Sequence, residues 1–504
     1  MVGKESKLGF VVAGLLLAIL MAAMDNTIVA TSMGTIVADL GGFDKFVWVT
    51  SAYLVTVMAG TPIFGKLSDM YGRKRFFIFG LTVFLFGSIL CGTAGSMTQL
   101  SIYRAIQGVG GGALMPIAFT IIFDIFPPEK RGKMTGLFGA VFGLSSLFGP
   151  LLGAYISDNI GWHWIFFINI PLGILSFVFV FFYYKESLEH KEQRIDWLGA
   201  FTLVGAVVCL MFALELGGNQ YDWASSVIIS LFTGFAVFFI LFLYVETKVA
   251  EPIISFKMFK KRLFATSNAI AFFYGTTFII ATIYIPIFVQ GVFGGTATNS
   301  GLILTPMMLG SVFGSQLGGL LTTKTSYRNI MLCSGAFFIT GVFLLSTLSP
   351  ETARSVVTLF MIITGFGVGF SFSTLSMSAI HNFDMRQRGA ATSSVTFFRS
   401  LGMTLGITIF GIIQRNLFQN KLADEFAGMG NGGSFGDSRA LLSPETREKI
   451  PAPILEKITD SLSSSIAQTF MWALVPAVLA FIFIFLMSKE RIEMPTKKTK
   501  MVKA

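Results

Sequence analysis

The chain has 504 residues, of which 53% are hydrophobic and only 13% charged, with a mean hydropathy of +0.73. Soluble chains carry roughly 25% charged residues, so this balance excludes a cytosolic globule, and 55 phenylalanines exclude a disordered chain. The net charge of +10 has no meaning for a partner until it is placed along the chain.

A bilayer crossing needs about 20 mostly apolar residues. The first apolar run, 8–30, follows Lys4 and Lys7 as a signal peptide would. It is too long for one, lacks a small-x-small cleavage site and contains Asp25, so it reads as a retained helix. Further runs follow at 46–66, 76–95, 98–123, 134–157, 163–184, 197–216, 224–247, 264–289, 300–321, 329–348, 354–380, 390–415 and 466–488, fourteen in all. Suppose that the N-terminus is inside and each run crosses once. Most of the 37 Lys and Arg residues then fall in inside segments, and the outside holds Lys45, Arg354 and a group within one long loop. The basic excess is therefore topology and attraction to anionic lipid, not a nucleic-acid footprint. Both termini are expected in the cytoplasm. Cys91, Cys209 and Cys333 all lie in apolar runs and read as small hydrophobes. The expected fold class is an all-α polytopic membrane protein with 14 transmembrane helices.

Motifs recur at a near-constant offset. Gly65-Lys66-Leu67 ends the second run and Gly319-Leu320-Leu321 the tenth, while Gly108-Val109-Gly110 is answered by Gly365-Phe366-Gly367. Arg131-Gly132 is answered by Arg388-Gly389, and Ser145 with Gly149 by Gly402 with Gly406. Parallel six-helix repeats mark transporters built from two halves. The expected organisation is a six-helix bundle over 1–184, two inserted helices with flanking cytoplasmic loops over 185–263, a second bundle over 264–488 and a cytoplasmic tail over 489–504. The second bundle includes an outside loop, 416–465, that is glycine-rich at 428–436 and reads helix-like from about 453 to 465.

Charged residues inside apolar runs are costly and functional by default. Asp25 lies deep in the first run, where a carboxyl can exchange its proton for a cationic substrate, as antiport requires; the plainer alternative is an acid at the helix end, in water. Arg104 lies several residues into the fourth run, with Gln107 one turn on along the same face. It must find a partner, for which Asp25 is the comparably buried acid of the first half, or snorkel to the outer surface. Arg399, in the thirteenth run, has no obvious acidic partner and is left to backbone carbonyls or a cavity wall. Glu215 ends the seventh run just before Gly217-Gly218, which favours an interfacial role over coupling, and Asp124 precedes Pro127-Pro128 at the inner surface.

The loop GKLSDMYGRKR crowds Asp69, Arg73, Lys74 and Arg75 into a short inside turn with Gly65 and Gly72. In the fifth run, Ser145, Gly149-Pro150 and Gly153 form a small-residue face with a proline, which suits close helix contact. Two enzyme motifs fail. Gly60 to Lys66 begins like a phosphate-binding loop, but Leu67 stands where Ser or Thr is needed. Gly432 to Gly436 has the spacing of a nucleophile elbow without a strand to carry it. No enzyme activity, metal or cofactor is expected.

These strings resemble a known family. GKLSDMYGRKR is similar to the loop 2–3 signature of the major facilitator superfamily, Arg104 with Gln107-Gly108 to its helix 4 motif, and Gly149-Pro150 to its helix 5 antiporter motif. MDNTIV (Met24 to Val29), WHWIFFINIPLG (Trp162 to Gly173) and FFRSLGMTLG (Phe397 to Gly406) resemble the fourteen-helix drug:proton antiporter subfamily. The match departs at Ala30 to Met33, which end the helix 1 motif unusually, and at His163, which stands where the subfamily has an arginine.

The resemblance implies a major facilitator fold, with two six-helix bundles rocking about a central site. It implies export of lipophilic, often cationic compounds against inward proton flow. Asp25 would be the proton and cation site, with Arg104 and Gln107 as coupling partners. Gly65, Asp69, Gly72, Arg73 and Arg75 would form a cytoplasmic latch, with Asp69 stabilising the helix that starts near residue 329. Gly149, Pro150 and Gly153 would lie on a hinge-like helix. The expected partners are protons, small lipophilic or cationic drugs and the lipid bilayer, and the protein is expected to be a monomer of a bacterial plasma membrane. A dedicated exporter of one antibiotic or metabolite and a proton-coupled metabolite symporter are the alternatives.

Overall fold

A computed structural model describes residues 7–41, 46–186, 195–218, 220–249, 251–294, 297–425 and 451–491. The helices are α1 (Leu8–Leu40), α2 (Phe46–Tyr71), α3 (Arg73–Gly92), α4 (Met97–Ile125), α5 (Pro128–Asn159), α6 (Trp164–Phe167), α7 (Asn169–Tyr183), α8 (Trp197–Leu216), α9 (Ser226–Lys248), α10 (Phe256–Phe259), α11 (Arg262–Gly291), α12 (Ala297–Leu321), α13 (Tyr327–Leu345), α14 (Arg354–Ile380), α15 (Arg388–Glu425) and α16 (Ala452–Leu486). Backbone groups in lipid must be satisfied within the chain, and a helix does this locally.

Among the described residues 12 helices are long and apolar enough to cross a membrane. The expected runs 134–157 and 300–321 are helical as α5 and α12, with 32 and 25 residues, but do not stand among the twelve. Both are rich in glycine and contain a proline, Pro150 in α5 and Pro306 in α12.

The expected outside loop 416–465 is largely helix where it is described. α15 runs on to Glu425 and α16 begins at Ala452, each about ten residues or more beyond its apolar run, so polar turns extend both helices past the apolar core. Residues 426–450 of that loop and 492–504 of the tail lie outside the described residues.

Packing repeats between the first and last helices. α4 packs on α2 and α3 as α14 packs on α12 and α13; α1 packs on α5 and α7 as α11 packs on α15 and α16. Two large contacts join the sets, α5 with α12 and α2 with α15, and smaller ones join α4 with α15 and α5 with α14. The pair α8 and α9 packs on itself and reaches the rest through α8 on α2, with Val55, Met58 and Ala59 meeting Leu203, Val207 and Met211 in a small apolar cluster. Large apolar side chains such as Phe86, Phe182, Phe201 and Ile240 are exposed, as the flank of a helix bundle in lipid requires.

Candidate functional site

Asp25 is 1% exposed in α1 and is the centre of a polar network inside the first set of helices. Its Oδ2 pairs with Arg104 Nη1 of α4. Its Oδ1 accepts from Gln107 Nε2 at 2.9 Å and from Asn169 Nδ2 of α7 at 3.0 Å. Arg104 Nη1 also donates to Gln107 Oε1 at 2.8 Å, and the guanidinium lies 4.1 Å over the ring of Tyr53 in α2. Asn169 is tied in turn to Ser88 Oγ of α3 at 3.0 Å, and Cys91 Sγ meets Gln107 Oε1 at 3.6 Å.

Close helix approach makes this convergence possible. A Cβ at Gly87 of α3 would come to 2.5 Å from the backbone of Gln107. Removing either member of such a buried pair leaves the other charge uncompensated and costs about 3–5 kcal/mol.

The expected partners Asp25, Arg104 and Gln107 are therefore brought together. Asn169 was overlooked as a site residue. Its signal was present: an amide set between apolar residues of a membrane run stands out, though less than a charge does.

The fifth helix lies directly against this site. A Cβ at Gly149 would reach 1.9 Å from Thr27 Oγ1, and one at Gly153 would reach 2.4 Å from Thr31 Oγ1. Thr27 Oγ1 donates across to Ser145 O at 3.3 Å and Ser32 Oγ to Gly153 O at 3.2 Å. Pro150, between those glycines, has no N–H to give the carbonyl one turn back, so this stretch of α5 is held by α1 as much as by its own ladder.

A second network sits where α2 meets α15. Asp69, in the last turn of α2, accepts from Gly389 N at 2.9 Å and Ala390 N at 2.7 Å, capping the first turn of α15. This corrects the expected target near residue 329, where Ser326 caps α13 instead. The inserted pair α8 and α9 shifts helix counting by two, so the helix that Asp69 faces is the thirteenth apolar run. Arg73, fully buried, pairs with Asp69 and with Asp124 at the end of α4, and donates to Met385 O. Arg388 Nη1 reaches the same Asp124 at 3.1 Å, and Glu186 accepts from Arg73 N at 2.8 Å.

Two glycines serve this network. Gly72 takes φ +111° to join α2 to α3 in one residue, a region that side chains avoid. At Gly65 a Cβ would come to 2.2 Å from Ser393 Oγ, so only hydrogen lets α2 and α15 touch. Arg75 stands exposed and outside the cluster. Asp124, read from sequence as an inner-surface acid, and Arg388, noted only as half of a repeat, prove central.

Arg399 and Glu215 stand apart from both networks. Arg399 lies over the Phe372 ring at 4.7 Å and donates to Ser371 O at 3.5 Å. Glu215 is hydrogen-bonded to Ser51 of α2, which ties α8 to the first set of helices.

The profile of the Major Facilitator Superfamily matches residues 15–197 and 187–407. Multidrug resistance protein 3 of Bacillus subtilis (strain 168) is 61% identical over 503 residues, covering 99% of this chain and 98% of that protein. Multidrug transporter protein MdtP of the same organism is 37% identical over 533 residues, covering 100% and 98%. Among solved structures, the human organic anion transporter MFSD10 aligns with a TM-score of 0.62 at 14% identity, over 96% of this chain and 100% of that one. The proton:xylose symporter XylE aligns with a TM-score of 0.61 at 13% identity, over 95% of each. At such identity the two structures speak for the fold alone. Profile, near-full-length relatives and fold agree: the chain belongs to the major facilitator superfamily.

Proposed function

We propose that the protein is a proton-coupled multidrug exporter of a bacterial plasma membrane. The observation that carries this reading is Asp25, a carboxylate buried among Arg104, Gln107 and Asn169 in a membrane helix. Two relatives named for multidrug resistance and multidrug transport support the class of cargo. We count α5 and α12 with the twelve apolar helices, making fourteen crossings with both termini cytoplasmic. The first six and last six crossings form two bundles, α8 and α9 are the inserted pair, and the protein works as a monomer.

In this mechanism the two bundles rock about the interface that α2, α5, α12 and α15 share. With the Asp69 network closed, the site opens outward and Asp25 takes a proton, which relaxes its hold on Arg104. With that network parted, the site opens inward, Asp25 releases the proton and a lipophilic cation replaces it. One carboxylate thus serves two competing ligands, and that competition couples their opposite movements. Each net charge moved is driven by about 2.3 kcal/mol per 100 mV.

The test is ethidium movement in proteoliposomes under an imposed pH gradient, for wild type and Asp25→Asn. Gradient-driven movement in the wild type, lost in the variant while dye binding persists, is the expected result. Equal movement by both proteins would remove Asp25 from the mechanism, and transport of one compound only from a varied panel would replace multidrug export with a dedicated pump.

A further inference from the structure

Arg399 is a half-buried cation for which the mechanism above has no use. It lies about 16 Å along α15 from the end capped by Asp69, at ~1.5 Å per residue, which is near the middle of a hydrocarbon core of about 30 Å. Its surroundings are unlike those of Arg104. The Nη2 atom makes one long bond, 3.5 Å to Ser371 O, and Nε is buried without an acceptor. Among the described residues no carboxylate offsets its charge. Arginine cannot shed its proton to escape this burial.

Nor can the backbone carry the group away. A Cβ at Gly275 of α11 would come to 2.3 Å from Arg399 O, and one at Gly402 to 2.0 Å from Phe272 O, so α15 is clamped on α11 to either side. The guanidinium is thereby held beside the face of Phe372, with part of its side chain accessible. Both helices that flank it meet the first set: α15 touches α2 and α4, and α14 touches α5. Arg399 and Phe372 therefore stand on the two helices of the second set, α15 and α14, that also reach the first.

A fixed, desolvated guanidinium with unused donors beside an aromatic face is a receptor for an anionic group on a flat, apolar molecule. We propose that Arg399 is a subsite for the carboxylate of zwitterionic or acidic drugs, with Phe372 stacking on their ring system. The proposal rests on the export reading and deepens it: Asp25 receives the cationic end of a cargo and Arg399 its anionic end.

Rhodamine B and its ethyl ester provide a matched test, since they differ in one free carboxylate. Apparent KM values for both dyes would be measured in proteoliposomes under a fixed pH gradient, and equilibrium binding of both by fluorescence polarisation in detergent, where no gradient is needed. In Arg399→Gln the preference for the acid over the ester should fall by ~10–100-fold, the range expected when one charge-assisted bond is lost, and Arg399→Lys should keep most of it. An acid-to-ester ratio unchanged in Arg399→Gln overturns the proposal, as does wild type that binds the ester but not the acid. If wild type moves neither dye yet binds the acid through Arg399, the export reading falls and the subsite stands. If it exports both with a ratio indifferent to Arg399, the subsite falls and the export reading stands.

Discussion

Two buried charge networks differ in what they span. The partners of Asp25 come from α4 and α7, with Ser88 of α3 behind Asn169, all within the first set of helices. Those of Asp69, Arg73 and Asp124 include Met385, Arg388, Gly389 and Ala390, from the other set. The first network can change its charge without parting any pair of helices across the interface, whereas the second cannot open without parting α2 from α15. In the proposed mechanism, proton chemistry and gating thus rest on different bonds. The two are joined by α4, which carries Arg104 and Gln107 near one end and Asp124 near the other, about 30 Å apart on one rod.

The largest effect should come from Asp25. Asp25→Asn should bring gradient-driven drug movement down to passive leak and lower thermal stability in detergent, because it strands the Arg104 charge at a cost of about 3–5 kcal/mol. Replacing both partners, Asp25→Asn with Arg104→Leu, should recover much of the stability and none of the transport. Recovery of transport would mean that the pair is structural. Next comes the crossing network. Asp69→Ala removes two bonds from α15, each worth about 1.5–3 kcal/mol to a charged group, and should shift the population toward the inward-open form by ~10-fold or more. Distances between spin labels on the facing ends of α2 and α15 would report it. Gly65→Val should open the same contact without touching a charge, since its Cβ alone would fall 2.2 Å from Ser393 Oγ. If Gly65→Val leaves the distances unchanged while Asp69→Ala moves them, charge and not contact holds the closed form.

A smaller effect should follow at Asn169. Its bond to Asp25 is one of three, so Asn169→Ala should slow gradient-driven efflux by ~10-fold, the low end of the about 1.5–3 kcal/mol that one bond to a charged group is worth. Its case shows what was legible in the sequence. Asp25 and Arg104 stood out because a charge in an apolar run has few structural excuses, and their partnership followed from scarcity. Asn169 is harder to read because an uncharged amide in an apolar run carries a weaker signal than a charge. Asp124 and Arg388 were harder still. They are 264 positions apart, each beside a loop between apolar runs where charge is expected anyway, and only the packing of α4 and α15 brings them together. The overall helical plan was legible because bilayer thickness sets helix length, and the runs that become α5 and α12 were legible as spans despite their proline and glycine.

The finest division lies within one string. Arg73 and Arg75 are two residues apart in GKLSDMYGRKR, and by composition and position they are equivalent members of a basic turn. Residues two apart on a helix point to nearly opposite sides, and α3 begins at Arg73, so one arginine turns inward to Asp69 and Asp124 while the other is exposed. Arg73→Gln should therefore mimic Asp69→Ala in the distance measurement. Arg75→Gln should leave both the distances and the efflux rate within about twofold of wild type, its remaining contribution being attraction to anionic lipid worth about 1 kcal/mol. That residue of effect should vanish in vesicles of neutral lipid. Were Arg75→Gln to open the contact as strongly as Arg73→Gln, the latch would depend on the summed positive charge of the turn and not on the buried pairs that Arg73 makes.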